Sequence, residues 1–147
     1  MIKYIFWLCL ALVFLSGCTS RAETDDALIQ TYLSDHNLSA TATKDATGIY
    51  YLITKQGTGI NATASSSVTV NYSGKLLNGT VFDSGTNVTF ALSAVIEGWK
   101  KGIPLMKEGS EGTLFIPSKL AYGNKKSGDI PRNSVLIFDI GLISVIN

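Results

Sequence analysis

Short apolar runs separated by glycine and asparagine make up the last two thirds of the chain. Val68, Val70 and Tyr72 alternate with polar residues, the period-two pattern of a half-buried strand. Residues 135–145 are apolar on both faces apart from Asp139, which predicts a strand in the centre of a sheet. Less regular strand patterns occur over 49–55, 80–83, 88–92 and 112–117.

One segment in this region has helical spacing instead. Ile96, Trp99 and Ile103 share a face over residues 95–103, and the residues between them include two lysines. Asn78-Gly79 predicts a tight turn between two strands. We therefore expect an α+β fold in which an antiparallel β-sheet wraps on a short central helix.

The preceding segment is more polar. Asp25 or Asp26 is a candidate N-cap for a short helix that ends near Ser34. Residues 19–25 are small, polar or charged and are expected to form a tether, and residues 36–47 a linker.

An unbroken apolar run from residue 4 to residue 15 leads into Ser16, Gly17 and Cys18. The run is too short to span the roughly 30 Å core of a bilayer as a helix. The pattern resembles a bacterial lipoprotein signal, which implies cleavage before Cys18, lipidation of that cysteine and attachment to the cell envelope. Thr19 is not the aspartate of an inner-membrane retention signal, so the outer membrane is favoured. The alternative is an ordinary secretory signal or a short anchor helix.

Removal of such a signal changes the composition. The full chain has 12 Lys and Arg against 11 Asp and Glu, and loss of Lys3 leaves 11 against 11. A neutral chain gives no reason to expect nucleic acid as a partner. Cys9 would leave with the signal and Cys18 would carry lipid, so no thiol would remain for a disulfide or a metal site.

Several chemistries are disfavoured by the single histidine, His36, which lies in the predicted linker. A zinc site and a Ser/His/Asp triad would both have to use it. What remains is aromatic: Trp99, Tyr72 and Phe138 could be ordinary core or could line a cavity. Asp83 follows an apolar position and needs a partner, which a tyrosine hydroxyl could provide, or it caps the turn that follows.

Six short segments carry a resemblance to a known family. They are Val70–Gly74, Val81–Ser84, Val95–Trp99, Leu120–Gly123, Ile130–Ser134 and Leu136–Asp139. In this order they resemble the FKBP-type peptidyl-prolyl cis–trans isomerases, over about residues 48 to 145. Together with the lipoprotein-signal pattern, the resemblance implies three regions. They are a signal peptide over 1–17, a lipid-anchored tether with a short helix over 18–47 and an isomerase domain over 48–147.

The resemblance also implies roles for individual residues. Trp99 resembles the floor on which the proline ring of a substrate packs, and Asp83 resembles a buried carboxylate beside the isomerising bond. Tyr122 resembles a phenol that donates to a substrate carbonyl, and Ile130 resembles part of an overhanging loop. The remaining walls would be Tyr72, Phe82, Val95, Ile96 and Phe138, with Tyr72, Phe82, Asp83 and Tyr122 as the catalytic set. The backbone N–H of Ile96, at a helix start, would be a free donor.

The implied activity is isomerisation of X-Pro bonds in folding exported or envelope proteins, without cofactor or metal. The implied partners are proline-containing polypeptides, with macrolides as candidate inhibitors. The stretch between Phe82 and Phe90 is short for the family, and Arg132 replaces a second proline after Pro131, which affects macrolide binding and substrate preference. Residues 25–47 are too few for the dimerisation arm of some members, so we expect a monomer. The alternative function is a non-catalytic FKBP-like module that holds a partner protein at the envelope.

Overall fold

The computed structural model describes residues 21–147. The predicted signal and Cys18 lie outside this range. The helices are α1 (Arg21–Asp35) and α2 (Glu97–Gly102), with 3-10 turns at Leu92–Ala94, Ile103–Leu105 and Ser118–Leu120. The strands are β1 (Thr43–Lys44), β2 (Tyr50–Lys55), β3 (Ser67–Leu76), β4 (Val81–Ala91), β5 (Glu111–Ile116) and β6 (Leu136–Ile146). Among residues 21–147, no helix is long and apolar enough to cross a membrane.

The six strands form one antiparallel sheet in the order β1-β2-β5-β6-β3-β4. The strand that is apolar on both faces, β6, lies between β5 and β3, as its pattern predicts. The predicted turn at Asn78-Gly79 is also present, because Gly79 has a φ of +87° and the chain reverses there between β3 and β4.

Each face of the sheet carries its own apolar core. On one face, Trp99, Ile103 and Met106 pack with inward side chains of the strands, including Val68 and Leu114. On the other face, Ile29 and Leu33 of α1 pack with Tyr50, Phe115 and Ile137 of the sheet. Val135, directly before β6, completes this core. The sheet is therefore covered on one side by α2 and on part of the other by α1.

Several sequence predictions need correction. Residues 21–25, predicted as part of a tether, are already helical, and Asp25 lies inside α1 on the same buried stripe as Ile29 and Leu33 instead of capping the helix. The two strands expected over 80–83 and 88–92 are one strand, β4. Its pairing with β3 shifts register twice. These irregularities interrupt the alternation of apolar and polar residues, so that one strand has the sequence pattern of two.

The predicted linker, residues 36–47, is built into the fold. It contains β1, which pairs with β2. Leu38 and Ala42 pack against the core under α1. The Asp45 carboxylate accepts hydrogen bonds from the backbone N–H groups of Thr47 and Ile49, at 2.9 and 3.0 Å. The polar composition of this segment thus reflects a hydrogen-bonded turn that leads into β2.

Candidate functional site

A cavity of about 540 Å³ opens between α2, the β3–β4 edge of the sheet and the loop that follows β5. Its lining is mostly aromatic and aliphatic, with one carboxylate. The lining residues are Tyr72, Asp83, Phe90, Ala94, Val95, Ile96, Trp99, Ala121, Tyr122 and Phe138. A concave apolar surface with a few polar groups is typical of a ligand site.

Trp99 of α2 forms the floor of this cavity and is only 4% exposed. Three rings stand almost perpendicular to it, with centroids 5.3 to 5.4 Å away and interplanar angles of 82 to 87°. They belong to Tyr72, Phe90 and Phe138. Edge-to-face packing of this kind is the favoured arrangement of aromatic rings and fixes the shape of the floor. The buried Nε1 of Trp99 has no hydrogen-bond partner among the described residues.

Tyr72 joins the floor to the only carboxylate in the lining. Its hydroxyl donates to Oδ2 of Asp83 at 2.9 Å. Burial, and then the hydrogen bond to Asp83, raise the pKa of the Tyr72 phenol. Asp83 itself is exposed, which corrects the expectation of a buried carboxylate. Oδ1 of Asp83 also accepts the Ser84 N–H at 2.9 Å, but Ser84 and Gly85 continue β4, so the alternative prediction that Asp83 caps a following turn is wrong.

Two residues that line the same cavity carry hydrogen-bond donors without a partner among the described residues. Tyr122 is 40% exposed, and its hydroxyl makes no hydrogen bond with any described residue. Ile96 is the N-cap of α2, and within residues 21–147 no group accepts its backbone N–H. Val95 and Ile96 are half-buried and leave apolar surface at the mouth. The cavity can therefore hold an apolar ring and donate to carbonyl groups beside it.

Two residues of the predicted set do not line the cavity. The Phe82 ring packs edge-on against Phe138, which does line the cavity, with centroids 5.6 Å apart. Gly74 makes room for this pair, since a Cβ there would lie 2.7 Å from both rings. Ile130 is 6% exposed and belongs to the core. The structure brings together the other predicted residues, namely Tyr72, Asp83, Val95, Ile96, Trp99, Tyr122 and Phe138.

The sequence prediction omits Phe90, Ala94 and Ala121. Phe90 pairs with Val68 across the β3–β4 ladder and so faces the same side as the core of β3. Val88 lies on the same face two residues earlier, with the polar Thr89 between them, and this spacing carries the information. The irregular pairing of β4 with β3 obscures which face of the strand is buried. Ala94 and Ala121 lie in turns, where no periodicity assigns a side chain to a face.

A larger groove of about 750 Å³ runs along β2, β5, β6 and β3. Its charged groups are paired with their own neighbours. Asp139 accepts hydrogen bonds from Lys75 and Thr113, and Lys55 pairs with Glu111 at 3.1 Å. The smaller aromatic cavity, with its enclosed floor and free donors, is therefore the better candidate site. Within the described range, no three Cys, His, Asp or Glu residues are grouped so that they could hold a metal ion.

Comparison with known proteins gives a consistent result. A family model described as FKBP-type peptidyl-prolyl cis-trans isomerase matches residues 59–143. A probable isomerase of this type from Neisseria meningitidis, FkpA, is 50% identical over 105 residues, which cover 68% of this chain and 39% of the relative. An outer membrane protein of Legionella longbeachae, MIP, is 41% identical over 130 residues, which cover 85% of this chain and 56% of the relative.

Among solved structures, a peptidyl-prolyl cis-trans isomerase from Pseudomonas syringae pv. tomato superposes with a TM-score of 0.75 and 32% identity, over 89% of this chain and 100% of that chain. The chain spans about half the length of the curated relatives it matches.

Proposed function

The chain belongs to the FKBP-type peptidyl-prolyl cis–trans isomerase family, and on this premise we propose that it accelerates X-Pro isomerisation in folding exported or envelope proteins. The observation that carries the proposal is the aromatic cavity, in which Trp99 forms a floor between three perpendicular rings. A flat apolar floor of this kind suits a proline ring, which has no charge and no N–H to satisfy.

The chemistry needs no nucleophile, acid or metal. Rotation about a peptide bond costs about 18–20 kcal/mol because amide resonance must be broken. The twisted amide has less charge separation than the planar amide, so a water-poor apolar cavity stabilises the twisted form relative to the planar one. This is binding of the transition state in preference to the ground state.

The polar groups at the mouth have distinct proposed roles. The Tyr122 hydroxyl and the Ile96 N–H donate to the carbonyl groups that flank the proline, and so hold the chain while one bond turns. Asp83, oriented by Tyr72, lies beside the rotating amide. The half-buried side chains of Val95 and Ile96 favour an apolar residue before proline.

The proposal is tested by cis-to-trans relaxation of Xaa-Pro tetrapeptides, followed by NMR exchange with the full chain in detergent. We expect acceleration, and a higher kcat/KM for leucine than for glutamate before proline. No acceleration by a folded protein would contradict the proposal and favour the alternative of a non-catalytic module that holds a partner protein. Equal kcat/KM values for the two peptides would contradict the proposed preference for an apolar residue before proline.

We also propose that the protein is attached to the envelope by lipid on Cys18. The proposal rests on the apolar run before that cysteine, and the name of the Legionella longbeachae relative, an outer membrane protein, is consistent with it. Cys18→Ser is expected to move the protein from the membrane to the soluble fraction of cells, as measured by fractionation. Retention of this variant in the membrane fraction would contradict lipidation at Cys18.

A further inference from the structure

The N-terminal helix α1 contains a carboxylate that the candidate site does not account for. Asp25 is completely buried, on the same stripe as Ile29 and Leu33. A buried carboxylate is costly unless it is paired and hydrogen-bonded. Its Oδ2 accepts hydrogen bonds from the backbone N–H of Ser118 at 2.9 Å and from the Ser118 hydroxyl at 2.5 Å. Arg21 lies 2.7 Å from the other carboxylate oxygen, as an ion pair without hydrogen-bond geometry.

Ser118 is the first residue of the segment that carries Tyr122 to the cavity. We call residues 118–133 the Tyr122 loop. The Ser118 carbonyl accepts the N–H groups of Ala121 and Gly123, at 3.0 and 2.8 Å, and so sets the turn on either side of Tyr122. Ser118 itself is 1% exposed, so without Asp25 its N–H and hydroxyl would be buried without these partners.

The same turn of α1 also holds the far end of the Tyr122 loop. The Arg21 guanidinium donates to the backbone carbonyl of Asn133. The Asn133 N–H donates to the Gly123 carbonyl at 2.7 Å, which joins the far end of the loop to the residue that follows Tyr122. One helical turn thus contacts both ends of a loop that is otherwise rich in glycine, lysine and serine.

We propose that Asp25 is a positioning residue: through Ser118 it fixes the Tyr122 loop and thereby places Tyr122 at the cavity. The catalytic part of this inference rests on the proposed function, whereas the placement of the loop does not. Small displacements of a positioned group are sufficient to reduce catalysis substantially.

The first test measures the loop directly, by hydrogen exchange at the Ala121 and Gly123 amides. Asp25→Ala is expected to speed exchange about tenfold or more, and Ser118→Ala, which removes only the hydroxyl, about threefold. The matched control is Asp26→Ala, because Asp26 is also on α1 but bonds to Lys44, Tyr50 and Gln30 instead of the loop. Unchanged exchange in both Asp25→Ala and Ser118→Ala would overturn the proposal, as would equal acceleration in Asp26→Ala. Ser118→Ala serves alone if Asp25→Ala does not fold.

The second test asks whether Asp25 acts through Tyr122. In the peptide assay, Asp25→Ala is expected to lower kcat/KM about fivefold in the wild-type background and less than twofold in a Tyr122→Ala background. Equal losses in the two backgrounds would contradict positioning of Tyr122. If the wild type itself shows no isomerase activity, the proposed function fails, and the exchange measurement alone decides the role of Asp25 in placing the loop.

Discussion

Tyr72 links the floor of the candidate site to its carboxylate through a single side chain. Its ring packs edge-on against Trp99, and its hydroxyl donates to Asp83. The hydroxyl therefore stabilises the folded protein only while it keeps its proton. Burial and the bond to Asp83 raise the pKa of this phenol above the usual value of about 10.

The raised pKa predicts a pH dependence of stability. The folded state holds the Tyr72 proton more tightly than the unfolded state, so this contribution is complete below about pH 10 and is lost as pH rises through the folded-state pKa. In urea unfolding, the free-energy difference between wild type and Tyr72→Phe is expected to be largest near pH 8 and to shrink above pH 10. A difference that stays constant through pH 11 would contradict this.

The sequence predicts the floor of the site better than its polar details. The spacing of Ile96, Trp99 and Ile103 is sufficient to place Trp99 on the face of α2 that meets the sheet. The burial of Asp83 is predicted wrongly, because β4 is an edge strand and leaves this carboxylate in solvent. Such exposure depends on what covers a strand, and the sequence of the strand does not record it.

At the scale of elements, the approach of α2 to the sheet depends on a residue without a side chain. A Cβ at Gly98 would lie 2.3 Å from Cγ2 of Ile116, a fully buried residue of β5. Gly102, one turn later, faces Leu114 in the same way, at 2.6 Å. The floor residue Trp99 therefore lies on a helix that is packed directly against the strand behind it.

Gly98→Ala is expected to lower the free energy of unfolding by about 1–3 kcal/mol, because the extra methyl group overpacks this contact. The matched control is Gly141→Ala in β6, where the nearest atoms to an added Cβ are 3.9 Å away. Urea unfolding of both variants provides the comparison. A loss for Gly98→Ala no greater than for Gly141→Ala would show that the helix can move away at little cost.

The elements differ in how well their patterns predict them. The central strand β6 and the helix α2 follow from their apolar spacing, since β6 contributes apolar side chains to both cores and α2 buries one face in one of them. The place of Asp25 inside α1 does not, because this residue occupies a buried position of the apolar stripe, where a sequence pattern expects an apolar residue. Its burial depends on Ser118, which is 93 residues away in the chain.

At the scale of the whole molecule, the two faces of one sheet pack against different elements. The face under α2 carries the candidate site, and the opposite face holds α1. The sequence predicts a sheet wrapped on a helix, and the structure has it. It does not predict that α1 packs on this sheet, because short amphipathic helices give no sign of which surface they cover.

The central claim is that the cavity above Trp99 catalyses isomerisation. It is tested most directly by the kcat/KM for an Xaa-Pro peptide in Trp99→Leu and in Phe115→Leu, both measured well below their unfolding temperatures. Phe115 is the matched control, because it is 1% exposed in the core under α1 and does not line the cavity. We expect a loss of about tenfold or more for Trp99→Leu and less than twofold for Phe115→Leu. Full activity in folded Trp99→Leu, or equal losses in the two variants, would contradict the account.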